Sequence, residues 1–119
     1  MKKVVALVAI VAFLAVAMVA FGNPAAPAGD IEITKTEGGK KAAVTFSHAK
    51  HAAVECVTCH HNYKGDAAPQ KCAACHGAKK DGKKLDNKNA AHQTCRGCHR
   101  DMKKAGKQTG PTPCKGCHK

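Results

Sequence analysis

The sequence predicts one small domain, mainly α-helical and irregular with a short N-terminal two-stranded β-hairpin, whose interior is not built from its own side chains. Three observations predict it. The pattern Cys-x-x-Cys-His occurs four times, at Cys56/Cys59/His60, Cys72/Cys75/His76, Cys95/Cys98/His99 and Cys114/Cys117/His118, and uses all eight cysteines. Four histidines remain, His48, His51, His61 and His92, one for each motif. Beyond residue 22 the large aliphatics are only Ile31, Ile33, Val44, Val54, Val57 and Leu85, and the aromatics only Phe46 and Tyr63. A chain of this size with so little to bury needs something to staple it.

The motif spacing has a mechanical reason. In one helical turn the two cysteines lie three residues apart on one face, where both thiols can add to the vinyl groups on one edge of a porphyrin. The histidine, four residues after the first cysteine, stays on that face and brings its imidazole under the iron. Each motif thus supplies two thioethers and one axial ligand. The residues predict four covalently bound heme c groups, with the four spare histidines as second axial ligands. Four zinc sites would consume the same side chains, but zinc knuckles do not require a histidine directly after the second cysteine. A thiol oxidoreductase needs one active pair on a strand-helix-strand scaffold, not four. The core is therefore expected to be formed by four covalent hemes, and the apoprotein is expected not to fold.

The N-terminal residues suit heme attachment outside the cytoplasm. Lys2 and Lys3 form a positive n-region, Val4 to Phe21 is an unbroken apolar run, and Ala20-Phe21-Gly22 offers a small-x-small cleavage site. Residues 1–22 read as a secretory signal peptide, which predicts an exported, periplasmic protein with no transmembrane segment after cleavage. Retention as a membrane anchor is the competing reading, because the apolar run reaches the lower length limit of a spanning helix. The helix-breaking Gly22-Asn23-Pro24 favours cleavage. Residues 23–30, rich in proline and alanine, read as a flexible lead-in, and residues 31–119 as a single domain.

Within that domain, Ile31 and Ile33 alternate with polar residues, Gly38-Gly39 offers a tight turn, and Val44 and Phe46 resume the alternation, which predicts the hairpin. Ser47 is placed to cap a helix carrying His48 and His51. Pro69 and Thr112-Pro113 are placed to start short helical turns into Cys72 and Cys114. The longest helix is predicted from about Asn87 to Lys104, opened by Asp86 as cap and closed near Gly106. Gly77 to Lys84 and Gly106 to Pro111 read as loops.

Geometry constrains how the histidines pair. His48 and His51 lie three apart on one helical face, about 5–6 Å between Cβ atoms, so they must serve two different hemes. His60 and His61 are neighbours whose side chains diverge, so they too serve different hemes. Such links hold irons close together, as rapid electron exchange requires.

The run Val44-Thr45-Phe46-Ser47-His48-Ala49-Lys50-His51, followed by Cys56-Val57-Thr58-Cys59-His60-His61, resembles the opening of the tetraheme cytochrome c3 family of class III c-type cytochromes. The stretch from Asp86 to His118 is also similar to the triheme cytochrome c7 branch, and the likeness covers essentially residues 31–119. The resemblance implies a small multiheme cytochrome in which iron is held by His60 and His48 (heme 1), His76 and His61 (heme 2), His99 and His51 (heme 3), and His118 and His92 (heme 4). Two departures stand out. Many members have four residues between the cysteines of hemes 2 and 4, whereas Cys72/Cys75 and Cys114/Cys117 enclose two. His92 also lies only three residues before Cys95. Cys72, Cys75, His76 and His61, which serve the heme that the triheme branch lacks, are all present.

Two histidines on each iron leave no open position for substrate and keep potentials low. Met102 is the only methionine beyond the leader and is expected to pack on a heme edge. The expected function is low-potential electron transfer without catalytic residues. A nitrite or metal-ion reductase would need a missing or displaceable ligand, although soluble metal ions could still be reduced at an exposed heme edge as a side activity. A heme subunit of a larger complex or filament is a third reading.

The formal charge of +12 falls to about +10 without Lys2 and Lys3, and eight heme propionates would offset most of it. Nucleic acid is an unsuitable partner for an exported chain without an aromatic platform for bases. Lys103, Lys104, Lys107, Lys115 and Lys119 cluster around the fourth motif. They read either as a solvated face or as a docking patch for an acidic redox partner. The resemblance implies a periplasmic hydrogenase or other dehydrogenase there, with a membrane cytochrome complex among the acceptors.

Overall fold

The computed structural model describes residues 24–33, 37–65 and 67–119, so the expected signal peptide, residues 1–22, lies outside the described residues. Residues 24–30 are exposed and form neither helix nor strand. Strand β1 (Ile31–Ile33) then pairs antiparallel with β2 (Val44–Phe46), setting Ile31 opposite Phe46 and Ile33 opposite Val44. Alternation puts these four side chains on the half-buried face and leaves Glu32 and Thr45 exposed. Matching the two apolar faces fixes the register, since a slip of one residue would turn both isoleucines outward. The turn differs from expectation. The register leaves residues 34–43 between the strands, so Gly38-Gly39 do not close a tight hairpin, although Gly38 turns the chain at φ +75°.

A 3₁₀ turn, Ala49–His51, follows β2 with His48 at its N-cap. Ser47 is therefore not the cap. The turn starts one residue later than predicted, and the Ser47 carbonyl instead accepts a hydrogen bond from Nδ1 of His51 at 2.9 Å.

Each of three motifs is one turn of helix entered from an extended residue. Helix α1 (Cys56–Cys59) follows Glu55, a 3₁₀ turn (Cys72–Ala74) follows Lys71, and the last helix (Cys114–Cys117) follows Pro113. Pro69 thus lies outside its turn. Pro113 is the N-cap, where an extended backbone at φ −78° suits the pyrrolidine ring, instead of the first helical position.

The third motif lies on a continuous helical rod over residues 87–104, as predicted. It comprises α2 (Asn87–Ala91), a π-helical turn (His92–Gly97) and α3 (Cys98–Lys104). Asp86 caps it, accepting from the Asn89 amide at 2.9 Å and from the Asn89 side chain at 2.6 Å. Gly106 closes it at φ +69°, with its amide on Lys103 O (3.1 Å) and the Lys107 amide on Met102 O (3.0 Å). That is a Schellman ending, which needs the left-handed conformation glycine adopts freely. The last helix becomes α4 in this order.

Longer links tie these turns together. The Asn87 amide bonds Gly77 O at 2.8 Å, Arg96 Nε donates to Thr112 O at 2.9 Å, and Nδ1 of His118 donates to Ala42 O at 2.6 Å. Among the described residues no side chain is fully buried, and Val54 and Val57 are exposed at 42 % and 47 %. The shortage of core read from composition is a fact of the fold. Among the described residues no helix is long and apolar enough to cross a membrane.

Candidate heme-binding site

The motif turns present their groups as the spacing requires. In three of them the histidine amide bonds the carbonyl of the first cysteine at 2.8 Å, His60 to Cys56, His76 to Cys72 and His118 to Cys114. This i→i+4 bond keeps both cysteines and the histidine on one face of the turn. In the third motif the Cys98 amide bonds Cys95 O within the rod.

Three of the four expected histidine pairs face each other. Ring centroids are 6.1 Å apart for His51 and His99, 6.0 Å for His61 and His76, and 6.3 Å for His92 and His118. Two imidazoles on opposite sides of one metal, each nitrogen at the usual distance of about 2 Å, put their centroids about 6 Å apart. The ring planes meet at 17°, 53° and 80° respectively. For His48 and His60 there is no such contact among the described residues. The His48 ring instead lies against Phe46, 4.9 Å between centroids and at 86°.

The rings are also held in the tautomer that ligation needs. Nδ1 lies within hydrogen-bond distance of a backbone carbonyl in all four motif histidines: His60 on Gln70 (3.0 Å), His76 on Leu85 (2.8 Å), His99 on Pro111 (2.9 Å) and His118 on Ala42 (2.6 Å). A carbonyl only accepts, so Nδ1 must carry the proton and Nε2 keeps its lone pair for a metal. His51 does the same toward Ser47 O.

The π turn explains the unusual position of His92. On an α-helix, a residue three before Cys95 would share its face. The i→i+5 bonding of residues 92–97 turns the chain less per residue, which swings His92 off the Cys95 face and toward His118 of the next motif.

None of the eight cysteines is joined to another in a disulfide. Burial, and after it the neighbouring thiols of Cys59, Cys72, Cys117 and Cys98, push the Cys95 thiol up to about 11, and burial raises Cys59 as well. Among the described residues no three histidine, cysteine or carboxylate side chains converge around one point, as a zinc site would require. A cavity of about 260 Å³ opens between the first two motifs, lined by His60, His61, Cys72, Cys75, His76 and Thr94 among others. Facing rings and fixed tautomers beside a cavity fit heme c.

Sequence reasoning missed three contributors. The carbonyls of Ala42, Gln70, Leu85 and Pro111 leave no trace in residue type. Gly110 lies so close to His99 that a Cβ would collide with ring atom Cε1 and come within 2.8 Å of Nε2. Phe46 stacks on His51 at 4.6 Å while its edge contact with His48 holds that ring too. Its being the only phenylalanine outside the leader was the available signal.

Comparison with known proteins agrees with this geometry. The family model described as Class III cytochrome C family matches residues 24–118. The chain is 45% identical over 104 residues to cytochrome c3 of Maridesulfovibrio salexigens, covering 78% of this chain and 94% of that protein. It is 36% identical over 84 residues to a cytochrome c7 of Geobacter metallireducens, 67% of this chain and 68% of that one. Among solved structures it superposes on the di-tetraheme cytochrome c3 of Desulfovibrio gigas with a TM-score of 0.63 at 38% identity, covering 79% of this chain and 97% of that one.

Proposed function

Because this chain belongs to the class III cytochrome c family and is a multiheme electron carrier of the cytochrome c3 kind, we propose that it carries four heme c groups, each held between two histidines. The proposed pairs are His60 with His48, His76 with His61, His99 with His51, and His118 with His92. The thioethers are Cys56 and Cys59, Cys72 and Cys75, Cys95 and Cys98, and Cys114 and Cys117. The observation that carries the reading is the facing of three of these ring pairs at 6.0–6.3 Å. The carbonyl bonds that leave Nε2 free support it further.

A heme with two imidazole ligands supplies one-electron chemistry, Fe(III) to Fe(II), at low potential and without a vacant position for substrate. The chain's own part is to orient the rings, fill both axial positions and carry the charge that recognises partners. Residues 1–22 act as a signal peptide, the domain of residues 31–119 works in the periplasm, and electrons pass between a hydrogenase or other dehydrogenase and a membrane-associated or terminal acceptor. Lys103, Lys104, Lys107, Lys115 and Lys119 are all exposed around the fourth motif, which supports docking there. Reduction of metal ions at a heme edge is a side activity of the same centres.

Mass spectrometry and the visible spectrum of the purified holoprotein test the reading together. Four hemes, an N-terminus at Asn23 and a reduced form that binds no carbon monoxide are expected. Carbon monoxide binding by the native reduced protein would show an open or displaceable axial position and sink the ligand assignment.

A further inference from the structure

Three side chains on one stripe of the rod grip the segment that returns along it. Arg96, His99 and Met102 follow one another at steps of three residues, which keeps them on one side of a helix. Arg96 Nε donates to Thr112 O at 2.9 Å, His99 Nδ1 donates to Pro111 O at 2.9 Å, and the Met102 sulfur accepts from the Thr109 hydroxyl at 3.7 Å. The partners fall in number as the rod residues rise. Residues 107–112 are therefore a strap laid antiparallel on the rod, beginning at the bond from the Lys107 amide to Met102 O.

The strap is stiff where it meets His99. Pro111 and Pro113 have fixed φ and keep the residues before them, Gly110 and Thr112, extended. Gly110 has no Cβ to strike the ring, and Pro111 packs on the fourth motif, where a Cβ at Gly116 would come within 2.5 Å of Pro111 Cβ. A stiff segment moves as one piece, so a hold on the Thr112 carbonyl also aims the carbonyl of Pro111. That carbonyl orients the ring that faces His51 at 6.1 Å and 17°.

Resting on the pairing of His99 with His51 given above, we propose that Arg96 is a positioning residue for the third centre. Through Thr112 it holds the Pro111 carbonyl on Nδ1 of His99 and so sets how strongly that imidazole donates to iron. A hydrogen bond from Nδ1 raises the basicity of a metal-bound imidazole, and Fe(III), with one more positive charge than Fe(II), gains more from a strong donor. Releasing the strap therefore favours the ferrous form of heme 3. On reduction one electron from the added reductant enters Fe(III), no bond forms or breaks, and Nδ1 keeps its proton.

The test compares Arg96→Gln with Arg96→Met in the holoprotein. The glutamine amide puts an N–H at the position of Nε, methionine matches its length without a donor, and both lack the charge. A field effect of the guanidinium would thus move both variants alike. In a stepwise reduction followed by NMR, with heme methyl signals assigned to motifs through their thioether neighbours, heme 3 should show a ferrous-to-ferric ratio about tenfold higher in Arg96→Met at equal potential. That is the lower end of what outer partners contribute at metal sites. The Nδ1 proton of His99 should also exchange with solvent faster in that variant. Should Arg96→Met yield no folded holoprotein, Thr109→Val against Thr109→Ser makes the same comparison at the other end of the strap and is read the same way. The reduced, diamagnetic form separates two failures. Contacts from the His99 ring to heme 3, with equal ratios or equal exchange in the paired variants, overturn the proposal alone, whereas a His99 ring without contacts to heme 3 overturns the ligand reading and the proposal together.

Discussion

Gly110 is where a single atom decides the position of a ligand. A Cβ added there would run into the His99 ring, so Gly110→Ala must push the imidazole aside and strain or break its bond to Pro111 O. Overpacking of this kind typically costs about 1–3 kcal/mol. The expected result is a lower melting temperature of the holoprotein together with an altered low-spin EPR signal from heme 3 and unchanged signals from hemes 2 and 4. The ring angles carry a second expectation at this scale. If these pairs ligate iron as proposed, ring planes at 17°, 53° and 80° would split the iron orbitals differently, and the oxidised protein should show distinct low-spin EPR species, with the largest g value from the near-perpendicular His92/His118 pair. A single homogeneous signal would contradict these angles. The candidate cysteines and histidines stand out in the sequence because residue type and spacing carry the signal. Their carbonyl acceptors do not, since every residue has one and only the fold decides which carbonyl meets which ring.

The rod of residues 87–104 shows what local signals can and cannot convey. Its two ends were legible, because a carboxylate at an N-cap and a glycine at a Schellman ending act through their own bonds. The Asn89 backbone amide, and with it the Asn89 side chain and Lys88, hold the Asp86 carboxyl below its ordinary value of 3.8. A depressed folded-state value means the cap contributes fully above the unfolded value and is lost as pH falls through the folded one. Asp86→Asn keeps one acceptor oxygen but carries no charge at any pH. The natural protein's advantage over it, followed by helical circular dichroism, should therefore be present at neutral pH and close in acid, below about pH 4. Asp86→Ala should loosen the rod at neutral pH as well. The π turn between the ends was hidden. It satisfies a demand from outside the helix, that His92 leave the face of Cys95 and meet His118, and no propensity encodes that demand.

At the scale of the whole molecule, the hairpin alternation and the scarcity of buried side chains were both readable, but the ten-residue span of the hairpin connection (34–43) was not, because register is set by matching faces and not by the nearest glycines. With no fully buried side chain among the described residues, the chain has little to hold it without its cofactors. A variant with all eight cysteines replaced by alanine should show no cooperative thermal transition. A sharp transition in that variant would mean the polypeptide has a core of its own. The lysines around the fourth motif make a long-range prediction. Lys104→Glu with Lys115→Glu should slow reduction by an acidic partner such as a hydrogenase about tenfold at low salt, with the difference shrinking as salt screens the field.

The bond from His118 to the Ala42 carbonyl crosses 76 positions of chain. During synthesis Ala42 appears well before the ring it will orient, so its carbonyl must wait for most of the domain to be made. Contacts of such separation are also the slowest to form, because the whole intervening loop must close first. The turn that carries His118 is therefore the natural last piece of the fold to close, and a chain clipped before it would leave the Ala42 carbonyl without its ring.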